Sequence, residues 1–284
     1  INLGRIKSIY TFMGYWLRKR NINLVTVLAT IRTDDGKKIE LKSIEVNTVK
    51  SYVISSFDLL KDNKEDFVGS IELEIFSAVD MVFPYPAITF GIEGTNGLTF
   101  VHTCGRIYND FEDMKSNSEQ NVPETGFDIY NGKSYTPFFS FVNGPIPIEN
   151  KEIELEYLDV NGSKITKKKK IKNIKPYGLG WIELNEENSS QLQDNLRTCV
   201  KIRHNFEGFF PRFVSGNILR NYEDISLTHS YYDTSEDSSE DSIWKNPFPK
   251  KFYDSVLAIP FDSFFSETEL AIYPNFVYAP TELS

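Results

Sequence analysis

The chain has 284 residues, of which 40% are hydrophobic and 14% aromatic, and 22 phenylalanines and 15 tyrosines stand against three methionines. This length favours two domains, and the excess of bulky planar side chains favours strands over helices and excludes a chain that is disordered throughout. The formal net charge of −9 argues against a nucleic-acid partner bound through a broad basic face, although it leaves room for a local basic patch.

Targeting and cofactor signals are few. No stretch contains the ~18 uninterrupted apolar residues of a membrane helix, so we expect no transmembrane segment. The amino terminus lacks the pattern of a signal peptide, but the chain begins at Ile1 rather than Met, so the compartment stays open. Cys104 and Cys199 are too few for a disulfide framework and lack metal-ligand spacing, so we expect two free thiols and no metal or cofactor.

The first twenty residues combine helical spacing with basic charge. Ile6, Ile9, Met13 and Leu17 recur at the spacing of one helix face. The basic residues of the segment have no acidic residue among them: Arg5, Lys7, Arg18, Lys19 and Arg20. The pattern predicts a short amphipathic helix, with a β arm as the alternative. Its basic side chains suit contact with an anionic surface. The alternative is that they are exposed to water while the helix packs on its own domain.

From Asn21 onward the pattern changes to strands. The apolar run at 24–31, the turn signal at 33–36 and the alternation at 38–46 predict a β-hairpin. Further strands alternate apolar residues with glutamates, which places one face in a core and the carboxylates outside. We interpret these carboxylates as solvated strand faces rather than catalytic pairs: Glu72, Glu74, Glu152, Glu154 and Glu156.

Proline and glycine residues interrupt the strand pattern in the later part of each half of the chain. The stretch 143–147 is the best candidate linker. It divides the chain into a basic segment at 1–20, a first domain at 21–145 and a second domain at 149–284. Residues 111–125 and 234–242 have the composition of polar loops.

The two halves resemble each other. A shift of 126 or 127 residues superposes several windows: Asp35-Gly36 on Asn161-Gly162, Leu73 on Val200, Phe83-Pro84 on Phe210-Pro211, and His102 on His229. Because the order of these windows is preserved at nearly constant spacing, we predict an internal duplication. The predicted fold is therefore all-β, with two tandem antiparallel β-sandwich-like domains and a short N-terminal helix or arm.

Most enzyme signatures are absent from the sequence. Gly132-Lys133-Ser134 ends like a phosphate loop, but Phe127 stands where that loop requires glycine. The three histidines, His102, His204 and His229, lie in aromatic, turn-rich contexts and are not at metal-motif spacing. An imidazole can carry a proton, bind a ligand or bind a metal, and the alternative is that each satisfies a buried backbone group.

The segment from Arg203 to Asp233 is the densest in side chains suited to binding. Aromatic faces beside planar donors and a carboxylate suit a sugar or another polar ring, and the alternative is a core strand with an ordinary loop. The candidate ligand-binding residues are Arg203, His204, Arg212, His229, Tyr231, Tyr232 and Asp233, together with His102.

Three functions stay open. The leading hypothesis is a non-enzymatic binding or surface-interaction protein whose partner is a carbohydrate or another protein. The rival is an enzyme acting on a glycan or other polar substrate, with a His/Asp site between the domains and two histidines within about 8 Å beside a cleft. The third is a structural subunit that assembles through sheet edges or a large apolar patch.

Overall fold

The computed structural model describes residues 2–3, 5–60, 66–79, 88–102, 106–107, 124–130, 134–159, 164–184, 197–207, 209–210, 213–219 and 224–232. The chain divides into two compact units, Ile1–Tyr231 and Tyr232–Ser284. Apart from Tyr232, the second unit lies outside the described residues. All that follows concerns the first unit.

The first sandwich consists of two antiparallel sheets and two short helices. Sheet A contains β1 (Asn2–Leu3), β2 (Ile6–Met13), β5 (Ser51–Ser55), β7 (Thr89–Glu93) and β8 (Leu98–Val101). Sheet B contains β3 (Val25–Thr33), β4 (Lys38–Val46) and β6 (Gly69–Ser77). The helices are α1 (Tyr15–Arg20) and α2 (Ser56–Leu59). Buried side chains of both sheets, such as Phe12 and Val27, form one core between them.

The second sandwich is also built from two antiparallel sheets. Sheet C contains β10 (Glu124–Tyr130), β12 (Glu152–Asp159), β13 (Lys164–Lys170), β15 (Arg197–Arg203) and β19 (Tyr231–Tyr232). Sheet D contains β11 (Tyr135–Val142), β14 (Leu179–Glu183), β17 (Val214–Leu219) and β18 (Ile225–His229). A separate small ladder joins β9 (Arg106–Ile107) to β16 (Phe209–Phe210). The all-β sandwich architecture expected from the sequence is therefore confirmed.

The two sandwiches have the same strand order. Sheet A runs β5-β2-β7-β8 and sheet D runs β14-β11-β17-β18, while β4-β3-β6 of sheet B corresponds to β13-β12-β15 of sheet C. The register agrees as well, because Ile9 pairs with Gly91 in sheet A and Phe138 pairs with Gly216 in sheet D. This agreement is consistent with an internal duplication. The described strands also differ, since β2 has a further partner in β1, and β15 has a further partner in β10, which is followed by β19.

The predicted hairpin at 24–46 is present as β3 and β4. Its turn closes with a hydrogen bond from the Gly36 N–H to the Thr33 carbonyl over 2.9 Å. Alternate residues of β3, among them Val25, Val27 and Ala29, are buried in the core of the first sandwich. The two-residue period in the sequence therefore predicts correctly which face of β3 is buried.

The amino-terminal segment departs from the predicted helix. The helix prediction was wrong for Ile6–Met13, which forms strand β2 and pairs with both β5 and β7. The alternative prediction of a β arm is correct there. Only Tyr15–Arg20 is helical, and it is anchored by Trp16, whose side chain is 0% exposed. The basic residues of its last turn face water, so the helix packs on its own sandwich. In the described part of the chain, no helix is long and apolar enough to cross a membrane.

The predicted linker joins two strands of the same sandwich. β11 ends before residues 143–147 and pairs with β14 and β17, which follow them. Asn143 is buried and donates through Nδ2 to the carbonyls of Ile146 and Lys175, over 2.8 and 3.1 Å. These bonds hold the proline-containing stretch as a fixed loop. The stretch therefore connects β11 of sheet D to β12 of sheet C within the second sandwich, and the domain limits themselves remain a prediction.

Candidate functional site

Two of the three histidines meet where the sandwiches touch. His102 follows β8 and His229 ends β18, so they hold corresponding positions. Their ring centroids lie 4.8 Å apart with nearly perpendicular planes. His102 is exposed, whereas His229 is 3% exposed and its Nδ1 donates to the Ser230 carbonyl over 2.9 Å. The pair reaches the separation expected for an enzyme, but only His102 is open to solvent.

His204 lies in the core of the second sandwich. Its ring centroid is 4.6 Å from that of Phe206 and 5.1 Å from that of Phe213. The Phe206 N–H donates to Nδ1 over 3.2 Å, so the neutral ring carries its proton on Nε2. Burial lowers the pKa of His204 to about 4, and the imidazole is therefore neutral at pH 7. The ring satisfies a buried backbone group and packs as an aromatic core residue.

Arg203 lies beside His204 at the end of β15. Its Nε is 3.7 Å from Oε1 of Glu154 on β12. The two residues share an open cleft with Glu152, Lys168 and Asn205. Paired charges line this cleft, and no Phe, Tyr or Trp of the described chain is among its lining residues.

Among the described residues that line this cleft, Arg203 and His204 are the only candidates. Arg212 and Asp233 lie outside the described residues, and Tyr231 and Tyr232 form β19, of which only the backbone is described. Within the described chain, the structure thus joins Arg203 to His204 and places the His102–His229 contact elsewhere. No group of three or more His, Cys, Asp or Glu side chains there is placed to hold a metal ion.

Of the two cysteines predicted to be free thiols, the structure describes only one. Cys199 lies on β15 and is partly exposed. Cys104 lies outside the described residues. The absence of a disulfide between them therefore remains a prediction.

A group of apolar residues that the sequence reasoning missed lies on the outward side of sheet A, among polar residues such as Lys7, Thr11 and Glu93. We call it the sheet A face, and its members share the side of the sheet turned away from the core: Ile9, Met13, Val53, Leu98 and Phe100. Val53 is 65% exposed and Phe100 is 48% exposed. A Cβ built on Gly91 would stand 2.4 Å from the Phe100 ring, so that ring lies across the glycine. The alternation of β2 and β5 is the signal from which this face could have been found.

The corresponding side of sheet D is covered by the first sandwich. Ile9, Val53 and Phe100 correspond in strand register to the positions of Phe138, Trp181 and Leu227. Phe138 is 1% exposed and stacks on Trp181 at a centroid distance of 4.2 Å. These residues pack in one cluster with residues of sheet A: Ile6, Phe90 and Ile92. The same positions are therefore an internal interface in one sandwich and solvent-exposed in the other.

A basic edge strand is the second surface that stands out. Residues 164–175 contain seven lysines and no acidic residue. Their strand, β13, is the outermost of sheet C among the described strands. Lys164, Lys168 and Lys170 are exposed on its outward side. A local basic patch thus exists within an acidic chain.

Comparison with known proteins gives no family. No protein-family model and no curated protein matches the chain. Among solved structures, the serine-rich repeat protein Srr2 of Streptococcus agalactiae is similar over 86% of this chain and 85% of its own, with 12% identity and a TM-score of 0.24. An anti-sigma factor domain-containing protein is similar over 75% of each chain, with 12% identity and a TM-score of 0.15. TM-scores this low carry no argument about function.

Proposed function

We propose that this chain is a non-enzymatic surface-interaction protein whose partner is a second copy of itself, bound through the sheet A face. The observation that carries the proposal is the exposure of the Val53 and Phe100 side chains on the outward side of sheet A. Exposed apolar side chains grouped on one face of a sheet are typical of interaction sites, because burying them removes apolar area from water.

The internal interface supports the choice of partner. The counterparts of the sheet A face on sheet D already pack against a sandwich of the same fold. Because the two faces have apolar side chains at corresponding positions, another sandwich of the same fold suits the sheet A face, and a second copy supplies one.

The other two functions have less support. A sugar site needs directional donors and acceptors beside an aromatic face. Arg203 is instead paired with Glu154, and His204 is turned into the core. An enzyme of the predicted type has the His102–His229 contact in its favour, but His229 is buried.

Sedimentation velocity over a range of protein concentrations tests the proposal. We expect concentration-dependent association of the parent chain, and its loss in Val53→Glu, since a carboxylate at this position would have to be desolvated in the interface. Leu24→Glu, also at an exposed apolar position but outside sheet A, serves as the matched control and should associate like the parent. A parent that stays monomeric at every concentration, or an association that Val53→Glu leaves intact, would refute it.

A further inference from the structure

The lysines of β13 set this strand apart from its counterpart in the first sandwich. The corresponding strand, β4, mixes both signs of charge, with Lys38, Glu40, Lys42 and Glu45 in alternation with apolar residues. β13 has lysines at positions 164, 167, 168, 169 and 170 and no acid. Because the two strands hold the same place in the same fold, their shared architecture does not account for the difference.

Neighbouring glutamates neutralise the patch only in part. Glu156, which is buried and not on a solvated face as predicted, pairs with Lys164. Glu152 lies 3.6 Å from Lys168. The Lys168 side chain is nevertheless 68% exposed, and ion pairs this open to water contribute little. Lys170 is exposed and has no ion pair with any described residue. The ammonium groups of Lys168 and Lys170 therefore remain available to an external anion, while that of Lys164 is shared with the Glu156 carboxylate.

The spacing of the lysines points to a narrow, extended partner. Side chains two residues apart on a strand lie on the same side, about 6.8 Å from each other. Lys164, Lys168 and Lys170 thus form a row along the edge, whereas the next strand inward, β12, presents glutamates on the same side. A broad anionic surface would meet those glutamates, but a single chain lying along β13 would avoid them.

We propose that the edge strand β13 binds a linear anionic polysaccharide. Single-stranded nucleic acid is less suitable because its binding sites combine basic grooves with aromatic stacking platforms. The outward residues of β13 are Lys164, Thr166, Lys168 and Lys170, none of them aromatic. This site is separate from the sheet A face and does not depend on the proposed self-association.

The alternative explanation of the lysines is protection of an exposed sheet edge against pairing with other chains. The two explanations differ in what the lysines contact. Edge protection predicts that replacing them promotes aggregation without changing the affinity for any polymer. The polysaccharide site predicts a loss of affinity that neutral replacement produces and arginine replacement does not.

Binding to immobilised dextran sulfate at about 50 mM salt, with neutral dextran as the blank, tests the site. We expect the triple variant Lys164→Gln, Lys168→Gln, Lys170→Gln to bind about tenfold or more weakly, with a shallower dependence on salt. The matched control Lys37→Gln, Lys38→Gln, Lys42→Gln removes the same charge from the corresponding hairpin and should bind like the parent. Replacing the three β13 lysines by arginine should preserve binding. Melting curves of each variant establish that it is folded.

Four outcomes would overturn the proposal. The parent chain fails to bind dextran sulfate at low salt, or binds neutral dextran equally well. The β4 control loses as much affinity as the β13 variant, which would show a response to total charge alone. The β13 variant binds like the parent and only aggregates, which would establish edge protection. Poly-glutamate or a single-stranded oligonucleotide competes more strongly than dextran sulfate, which would assign the site to another class of partner.

Discussion

The imidazole of His102 stands edge-on to that of His229, with ring centroids 4.8 Å apart, and the two residues hold the same place in the two sandwiches. Residues at equivalent positions in the two sandwiches therefore differ in their exposure to solvent. His229 is enclosed and bonded to the Ser230 carbonyl, while His102 remains at the surface. Comparing substitutions of the two histidines therefore tests whether a buried histidine stabilises the fold.

Replacing His229 with alanine should lower the free energy of unfolding by about 1 to 3 kcal/mol, because the Ser230 carbonyl then loses a buried donor. His102→Ala, at the exposed counterpart, should change it by less than about 0.5 kcal/mol. Urea denaturation of both variants beside the parent measures the difference. Equal effects of the two substitutions would show that the burial of His229 does not matter to stability.

Acidification should destabilise the protein through His204. Its pKa is about 4 when folded and near 6.5 when unfolded, so between these values the unfolded chain binds the extra proton. The stability that His204 contributes is therefore lost as pH falls from about 6.5 to about 4, about 3 kcal/mol in total, and this contribution does not change further below that window. His204→Phe should show a flatter stability profile over this range than the parent. Parallel profiles would mean that His204 is not protected from protonation.

Two glycines at corresponding positions should respond differently to alanine. A Cβ on Gly216 would stand 1.8 Å from the Ser226 carbonyl oxygen, which belongs to the backbone of the paired strand β18. On Gly91 the obstacle is the exposed ring of Phe100, which can rotate away. We expect Gly216→Ala to cost about 3 kcal/mol and Gly91→Ala less than about 1 kcal/mol. Thermal melting checks the order, and a larger loss for Gly91→Ala would contradict it.

Local sequence signals predicted the features that local chemistry controls. The turn at 33–36 and the alternation of Val25, Val27 and Ala29 define a hairpin whatever surrounds it, and the hairpin is present. Ile6–Met13 was ambiguous, because its apolar residues fit both a helical period and a strand period. Its pairing with β5 and β7 made it a strand, and those partners lie about 40 and 80 residues away along the chain.

The described candidate residues Arg203 and His229 lie apart for a similar reason. Nearness in sequence between Arg203 and His229 indicated one site, but they belong to strands of different sheets, and the turn after β15 directs His204 into the core. The proline-rich stretch at 143–147 was predicted to be the linker between two domains, and in the structure it lies between β11 and β12. Whether a break separates domains or strands depends on which strands pair across it, and that is a non-local property.

The sequence by itself determined the strand periodicity and the basic composition of β13, because each depends on neighbouring residues along one strand. Only the tertiary structure decided which apolar faces are covered. Phe138 and Ile9 occupy corresponding positions in the two sheets, yet Phe138 is buried by the other sandwich and Ile9 belongs to a face that is open. Burial is set by what lies opposite a side chain, and strands distant in the sequence bring that neighbour into place.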